Sequence, residues 1–185
     1  NTTSSNNSVN IYSPMHWGQK YEPVSIMYYE WKNNTTVDEF GCIPHNQYPF
    51  LAASPDGIVC DISSALYGRM LEIKNVVSRE ITGIPKMEYW IQMQLQMEVC
   101  NLNECDFLET KFIEYKDYDE YKNDTSHNKH TGVISQFIKD NVPYYCYCPI
   151  HYSFKERDDW CDYILEANSD IEFIQFIYSR LDYIS

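Results

Sequence analysis

The chain has 185 residues, of which 44% are hydrophobic and 16% aromatic, enough for one domain with a hydrophobic core and not obviously for two. No apolar run approaches the roughly 20 residues that a membrane-spanning helix needs, and the polar, uncharged residues 1–8 do not form a secretory signal. The net charge of −13 counts against nucleic-acid binding, because duplex-binding surfaces normally carry an excess of Lys and Arg.

The cysteines and the start of the chain narrow the class of protein further. Seven cysteines without a CxxC pair or a regular spacing indicate reduced thiols in an intracellular compartment. Cys146, Cys148 and His151 lack the usual spacing of zinc ligands, and the alternation of Tyr and Cys there is more typical of a buried strand face. Because the chain starts with Asn rather than Met, we expect upstream sequence to be missing. Residues 1–12, rich in Asn, Ser and Thr, are predicted to be a flexible lead-in.

The first elements of the chain are predicted from their periodicity. Aromatic residues recur at helical spacing over residues 14–32, which predicts a helix that starts or bends at Pro23. Residues 37–42 and 48–53 are predicted to be short strands.

The stretch 50–60 is predicted to be a hairpin. Its two apolar halves have the length and composition of strands. Between them, Pro55, Asp56 and Gly57 predict a tight reversal, in which Gly57 takes the positive φ that such turns require.

The second half of the chain is predicted to alternate helices, strands and loops. In chain order these are a helix over residues 86–102, a strand over 105–115, a mobile surface loop over 116–131, a hairpin of strands 132–138 and 144–148 around Asp140 and Asn141, and an acidic helical tail over 158–185. From Lys155 onward, three basic residues stand against eight acidic ones, so this tail is expected to face away from a polyanionic substrate. Together the elements predict an α/β fold, a single domain over 1–185 with a central mixed sheet flanked by helices.

One pattern indicates phosphodiester hydrolysis. Residues 70–75 (MLEIKN) are predicted to be a strand in which Glu72 and Lys74 point to the same face. Asp56 and Glu72 are hard oxygen ligands of the kind that Mg²⁺ or Mn²⁺ accepts. Lys74 can hold or help to deprotonate a water molecule and can meet the charge that develops on the phosphate. Pro-Asp, a spacer and Glu-x-Lys form the PD-(D/E)xK nuclease signature. A hairpin turn beside a strand with one solvated charged face would show the same residue pattern without any catalytic function.

Four motifs in order make the pattern more specific. The chain resembles the phage λ exonuclease/YqaJ family, and in particular the version carried by large nucleocytoplasmic DNA viruses. The motifs that carry the resemblance are residues 17–22 (WGQKYE), 53–57 (ASPDG), 71–74 (LEIK) and 89–94 (YWIQMQ). The resemblance covers roughly residues 16–115 and implies a PD-(D/E)xK restriction-endonuclease-like core.

The resemblance also implies roles for the acidic residues and the lysine. Asp56 and Glu72 would be the ligands of Mg²⁺ or Mn²⁺, together with the backbone carbonyl of Ile73. Lys74 would be the catalytic lysine. Glu22 would complete the acidic cluster, directly or through water.

The remaining motif residues would contact the substrate. Gln92 matches the family's active-site glutamine and Gln94 its second one, while Ser54 resembles a serine near the terminal 5′-phosphate. Tyr89 belongs to the same motif and is a candidate substrate contact. Taken without the resemblance, Tyr89 and Trp90 are better interpreted as helix-packing residues than as base-stacking ones.

The implied function is a Mg²⁺-dependent DNA exonuclease. Members of the family degrade linear double-stranded DNA from 5′ ends and leave 3′ single strands for recombination or repair. The expected partners are therefore DNA ends, with a single-strand annealing protein or further copies of the chain as additional ones and no membrane, in the host cytoplasm (a viral factory) or the virion. Two alternatives stay open: a catalytically silent nucleic-acid-binding or scaffold domain with the same fold, and an endonuclease of the same superfamily.

One part of the family pattern is not found. The family's N-terminal segment, whose arginine and serine hold the 5′-phosphate, has no counterpart ahead of His16. We expect that segment to lie upstream, or the polarity and end preference to differ.

Overall fold

A computed structural model of the protein describes residues 9–124 and 130–185. Within these ranges it contains helices and strands in the order α1 (Pro14–Asn33), β1 (Val37–Asp38), β2 (Ile43–Pro44), β3 (Ala52–Ala53), β4 (Gly57–Val59), β5 (Met70–Asn75), α2 (Met87–Cys100), β6 (Cys105–Glu114), α3 (Tyr118–Asn123), β7 (Thr131–Lys139), β8 (Val142–Tyr147), α4 (Phe154–Ala167) and β9 (Glu172–Ile184). None of the described helices has the length and apolarity that crossing a bilayer requires.

The described residues form two compact units. One comprises Tyr21–Lys111 and Tyr183–Ser185, and the other comprises the described parts of Asn1–Lys20 and Phe112–Asp182. We call them the 21–111 unit and the 112–182 unit.

The 21–111 unit is built on a mixed sheet. Strand β4 pairs antiparallel with β1 on one side and with β5 on the other, and β5 pairs parallel with β6. Successive residues of β5 point to opposite faces. Leu71 packs in a core cluster with Ile26 and Tyr29 of α1, whereas Met70 packs with Met93 of α2. A mixed sheet flanked by helices confirms the predicted α/β class.

The 112–182 unit is antiparallel. Strand β7 pairs with β8 and with β9. Asp140 and Asn141, with φ of 52° and 61°, form the turn between β7 and β8, so the predicted hairpin is confirmed. Helix α4 begins with a capping box, in which the Ser153 hydroxyl accepts a hydrogen bond from the Glu156 backbone N–H and the Glu156 carboxylate accepts one from the Ser153 N–H.

The predicted hairpin over residues 50–60 is wrong. Strand β3 pairs with β2 in a separate two-stranded sheet, whereas β4 belongs to the mixed sheet. Gly57 lies inside β4 and does not have a positive φ. Glycine is required there because a Cβ would overlap the Cγ1 atom of Val37 on β1. The neighbouring strands are also shorter than predicted, and β2 was missed.

The predictions for residues 116–131 and 158–185 also need correction. Residues 118–123 form helix α3, which Asp117 caps by accepting a hydrogen bond from the Glu120 N–H at 2.9 Å and which buries Tyr121. Residues 172–184 are strand β9 rather than a helix, because its run of aromatic and β-branched residues favours an extended chain. Residues 1–8 of the predicted lead-in and 125–129 of the predicted loop lie outside the described residues.

Candidate active site

Strand pairing in the 21–111 unit brings Asp56 beside the Glu-x-Lys strand. Asp56 immediately precedes β4, and the antiparallel register places Gly57 opposite Leu71 of β5. The Asp56 Oδ2 atom accepts a hydrogen bond from the Ile73 backbone N–H at 2.6 Å. The carboxylate is therefore fixed next to Glu72 by the backbone of the same strand that carries Glu72 and Lys74.

The carboxylates interact electrostatically. Burial, then the nearby charges of Glu72 and Glu22, raise the pKa of Asp56 to about 7, against the opposing effect of the Ile73 hydrogen bond. The pKa of Glu22 is raised above its ordinary value by burial, Glu39 and Glu72. Carboxylates whose pKa is raised by burial and by neighbouring like charges are typical of functional sites.

Glu72 is the most buried of these acids, with 1% of the residue exposed. Its Oε1 atom accepts a hydrogen bond from the Lys74 Nζ. Its Oε2 atom is buried and has no hydrogen-bond partner in the described part of the chain. A buried carboxylate oxygen without a partner costs stability unless a cation or a donor reaches it.

These residues fit a divalent cation. The unpartnered Oε2 atom of Glu72 and the carboxylate of Asp56 are hard oxygen donors. Mg²⁺ is commonly held by one or two carboxylates plus waters. No three His, Cys, Asp or Glu side chains within 9–124 and 130–185 converge closely enough to hold an ion by themselves. The structure places Asp56 next to Glu72, and it places Glu22 close enough for its charge to raise the pKa of Asp56. The ligand roles of Asp56, Glu72, Glu22 and the Ile73 carbonyl stay predictions.

The glutamines of α2 take different positions. Gln92 is exposed and lines a cavity of about 560 Å³, together with Ser54 and Gln96. Gln94 is also exposed. Helix residues that are two positions apart differ by about 200° of rotation, so Gln94 points away from Gln92. Gln96, which had no predicted role, is buried and donates from Nε2 to the Ser54 carbonyl at 3.4 Å. The substrate roles of Ser54, Gln92 and Gln94 stay predictions.

Tyr89 is a packing residue and also a neighbour of the lysine. Its ring packs against Phe107 of β6, with centroids 5.9 Å apart. The Lys74 Nζ lies 5.0 Å from the centre of the Tyr89 ring.

Two residues of β6 were missed by the sequence reasoning. Glu109 is 1% exposed, lies opposite Lys74 in the parallel register and forms an ion pair with Arg79. The pKa of the Cys105 thiol is raised to about 12 by burial and by the charge of Glu72. Their proximity to the site depends on the β5–β6 register, for which the sequence offers no local signal.

Comparisons with known proteins agree with the motifs. Residues 2–103 match the model of the YqaJ-like viral recombinase domain, a range that contains every predicted site residue. Over 124 residues the chain is 38% identical to uncharacterized protein R354 of Acanthamoeba polyphaga mimivirus, a match that covers 60% of this chain and 23% of that relative. The chain thus spans about a quarter of the relative's length.

Solved structures show a weaker likeness. An alkaline exonuclease, LHK-Exo from Laribacter hongkongensis, is 21% identical with a TM-score of 0.45, covering 87% of this chain and 77% of that one. The structure of LHK-Exo with dAMP is 22% identical with a TM-score of 0.43, covering 85% and 74%. Likenesses at this level do not assign an activity. The family model, in contrast, covers more than half of the 185 residues, and the chain belongs to the YqaJ-like viral recombinase family.

Proposed function

We propose that the chain is a metal-dependent deoxyribonuclease that hydrolyses phosphodiester bonds of linear double-stranded DNA, as a 5′-to-3′ exonuclease in viral DNA recombination or repair. We also propose that both units act as one nuclease domain. The observation that supports the activity is the fixed pair of Asp56 and Glu72 beside Lys74, in a member of this family. A recombination role would pair the enzyme with a protein that anneals the single strands it leaves.

Each residue of the site has a separate role in the proposed hydrolysis. A bound Mg²⁺ or Mn²⁺ would polarise the phosphate and lower the pKa of a water molecule. Asp56 and Glu72 would hold the ion, and the Ile73 N–H keeps the Asp56 carboxylate oriented. Lys74, whose ammonium group donates to Glu72, orients the attacking water and meets the negative charge that develops on the phosphate oxygens. The water oxygen bonds to phosphorus and the water gives up a proton to solvent. The P–O bond to the leaving group breaks, and the leaving oxygen takes up a proton from solvent.

Removal of Lys74 tests the assignment. Linear duplex DNA labelled at one end is incubated with Mg²⁺ and with wild-type protein, Lys74→Ala, Glu72→Gln or Lys32→Ala. Lys32 is a matched control, because it is an exposed lysine of the same unit whose ammonium lies over a tyrosine ring, 5.9 Å from the centre of Tyr28. We expect Lys74→Ala and Glu72→Gln to lose about 10²-fold or more in rate, as is usual for groups that act on the transition state. Lys32→Ala should retain the wild-type rate.

The same assay separates the alternatives. Equal product release by wild type and Lys74→Ala would exclude the proposed role of this lysine. Binding of DNA without metal-dependent cleavage would favour a silent binding or scaffold domain, and cutting of covalently closed circles would favour an endonuclease. Release of the label from 5′-labelled ends before 3′-labelled ends would establish the proposed polarity.

A further inference from the structure

Three cations of the 21–111 unit surround a single aromatic ring. Lys74 Nζ lies 5.0 Å from the centre of the Tyr89 ring, and Arg79 Cζ and Lys86 Nζ each lie 6.0 Å from it. We call these four residues the Tyr89 cation cluster. The whole chain has only 14 Lys and Arg residues against 27 Asp and Glu, so three cations at one ring are a strong local departure from its composition.

Two of the three cations are held by buried acids. Lys74 pairs with Glu72, and Arg79 pairs with Glu109. Both acids are 1% exposed, so the pairs fix where the two cations stand. These pairs account for two of the three positive charges.

Lys86 supplies the third charge and has a different environment. It is exposed, and it forms no ion pair with any residue of 9–124 or 130–185. Its backbone carbonyl accepts from the Tyr89 N–H at 3.0 Å, which places it at the start of α2. The acid nearest to it along the chain, Glu88, lines the cavity that contains Ser54.

Within residues 9–124 and 130–185, Lys86 is therefore the cation of the cluster that no acid pairs with. An exposed cation gains little from an aromatic face in water, so the ring by itself does not account for three cations around it. A phosphodiester group carries one negative charge and accepts several hydrogen bonds, and guanidinium and ammonium groups are its usual partners. One phosphodiester would give Lys86 the anionic partner that the described residues do not provide, and it would lie beside the guanidinium of Arg79.

We propose that Arg79 and Lys86, supported by the ring of Tyr89, bind a phosphodiester group of the nucleic-acid strand adjacent to the bond that Lys74 serves. This assignment rests on the proposed nuclease function, since it names a second contact with the same substrate. Arg79 and Lys86 fix the path of the strand past the site, whereas Lys74 acts at the reacting phosphate.

Salt-dependent binding tests the assignment without hydrolysis. Binding of a fluorescent linear duplex is measured in Ca²⁺ over a range of KCl concentrations, and the salt dependence of kcat/KM is measured in Mg²⁺. The variants are Lys86→Ala, the double variant Arg79→Gln/Glu109→Gln and the control Lys32→Ala. Lys86 makes no side-chain cap bond, so its removal leaves α2 intact. The double variant removes both charges of the buried pair, because removal of Arg79 alone would leave Glu109 buried and unpaired.

Each phosphate contact contributes about 0.9 to the slope of log K against log[salt]. We expect Lys86→Ala to reduce that slope by about 1 and to weaken binding by about tenfold near 0.1 M salt. The double variant removes the guanidinium donors of Arg79 but no net charge, so we expect it to weaken binding with a smaller change of slope. Lys32→Ala should match the wild type. A wild-type slope in Lys86→Ala together with wild-type affinity in the double variant would overturn the proposed contact and leave the nuclease assignment standing, whereas a wild type that neither binds nor degrades DNA would overturn both.

A competition arm separates a strand phosphate from a free one. Inorganic phosphate is added to the bound wild-type complex at constant ionic strength. We expect inorganic phosphate to displace no more duplex than chloride does at the same ionic strength. The reason is that Arg79 and Lys86 are proposed to bind a phosphodiester that the rest of the bound strand keeps in place. Specific displacement from the wild type but not from Lys86→Ala would assign the cluster to free phosphate and overturn the proposal.

Discussion

The close approach of Gly57 to Val37 can be tested by substitution. Gly57 directly follows Asp56, so the packing there affects how β4 positions that carboxylate. In Gly57→Ala the new Cβ would lie more than about 1 Å inside the ordinary carbon–carbon contact distance of 3.5–4.0 Å from Val37 Cγ1. Val37 is a buried, β-branched residue on a paired strand. Its side chain is short and stiff at χ1, so its methyl group cannot easily rotate away from the new Cβ. Overpacking of this kind costs about 1–3 kcal/mol, which for a chain of this length lowers Tm by about 2–12 °C.

A double-mutant cycle identifies the contact as the cause. Val37→Ala alone removes two buried methyl groups and should cost about 1–3 kcal/mol, but in Gly57→Ala/Val37→Ala it also removes the overlapping atom. The double variant should therefore be more stable than the sum of the two single effects by about 0.5–3 kcal/mol in urea unfolding. Gly132→Ala is the control, because the same substitution on β7 meets no atom within 4 Å and should stabilise by about 0.5–1 kcal/mol. Strict additivity, or a Gly57→Ala as stable as Gly132→Ala, would refute the reasoning.

Three further predictions concern charge, a buried guanidinium and a turn. In EDTA, Asp56→Asn should raise Tm at pH 7 and above. The folded-state pKa of Asp56, about 7, is raised, so the wild type loses stability as the pH rises from about 4, where the unfolded side chain ionises. A Tm difference that is constant from pH 4 to 8 would contradict this. Arg157→Ala should lower the free energy of unfolding by about 2–4 kcal/mol in urea, because the buried guanidinium donates to the Tyr121 hydroxyl at 2.9 Å and to the Thr131 hydroxyl at 2.8 Å; an effect below 1 kcal/mol would show that these bonds are dispensable. Asn141→Gly should raise Tm slightly, since its φ of 61° favours glycine; a decrease would show that the Asn side chain stabilises the turn.

The pairing of Asp56 with the Glu-x-Lys strand could be predicted because it depends on short-range features. Asp56 and Glu72 lie 16 positions apart, and β4 and β5 are neighbouring antiparallel strands. Alternation within one strand then places Glu72 and Lys74 on one face whatever the rest of the fold does. The helices α1 and α2 were likewise predicted from local periodicity.

The parts that could not be predicted depend on long-range register. Glu109 lies opposite Lys74 only because β5 and β6 pair in parallel with those two residues in register. Nothing in the local sequence distinguishes Glu109 from the other acids of the chain. Strand β9 was predicted as part of an acidic helical tail, although its aromatic and β-branched residues favour an extended chain. Its pairing partner, β7, is not indicated by the local sequence.

The net charge was the least informative property of the sequence. At physiological ionic strength the Debye length is about 8 Å, so exposed acids farther than that from a bound phosphate contribute little to its energy. The cations of the Tyr89 cluster lie within 6.0 Å of one ring centre, inside that length. A chain with a net charge of −13 can therefore still offer a strand phosphate a cation without an acid partner among the described residues, Lys86, beside the pair of Arg79 with Glu109. The prediction that follows is quantitative: raising the KCl concentration should weaken binding of the wild type with the slope of a few phosphate contacts, and loss of Lys86 should remove about one of them. A slope near zero for the wild type would show that the cations around Tyr89 do not act on the strand.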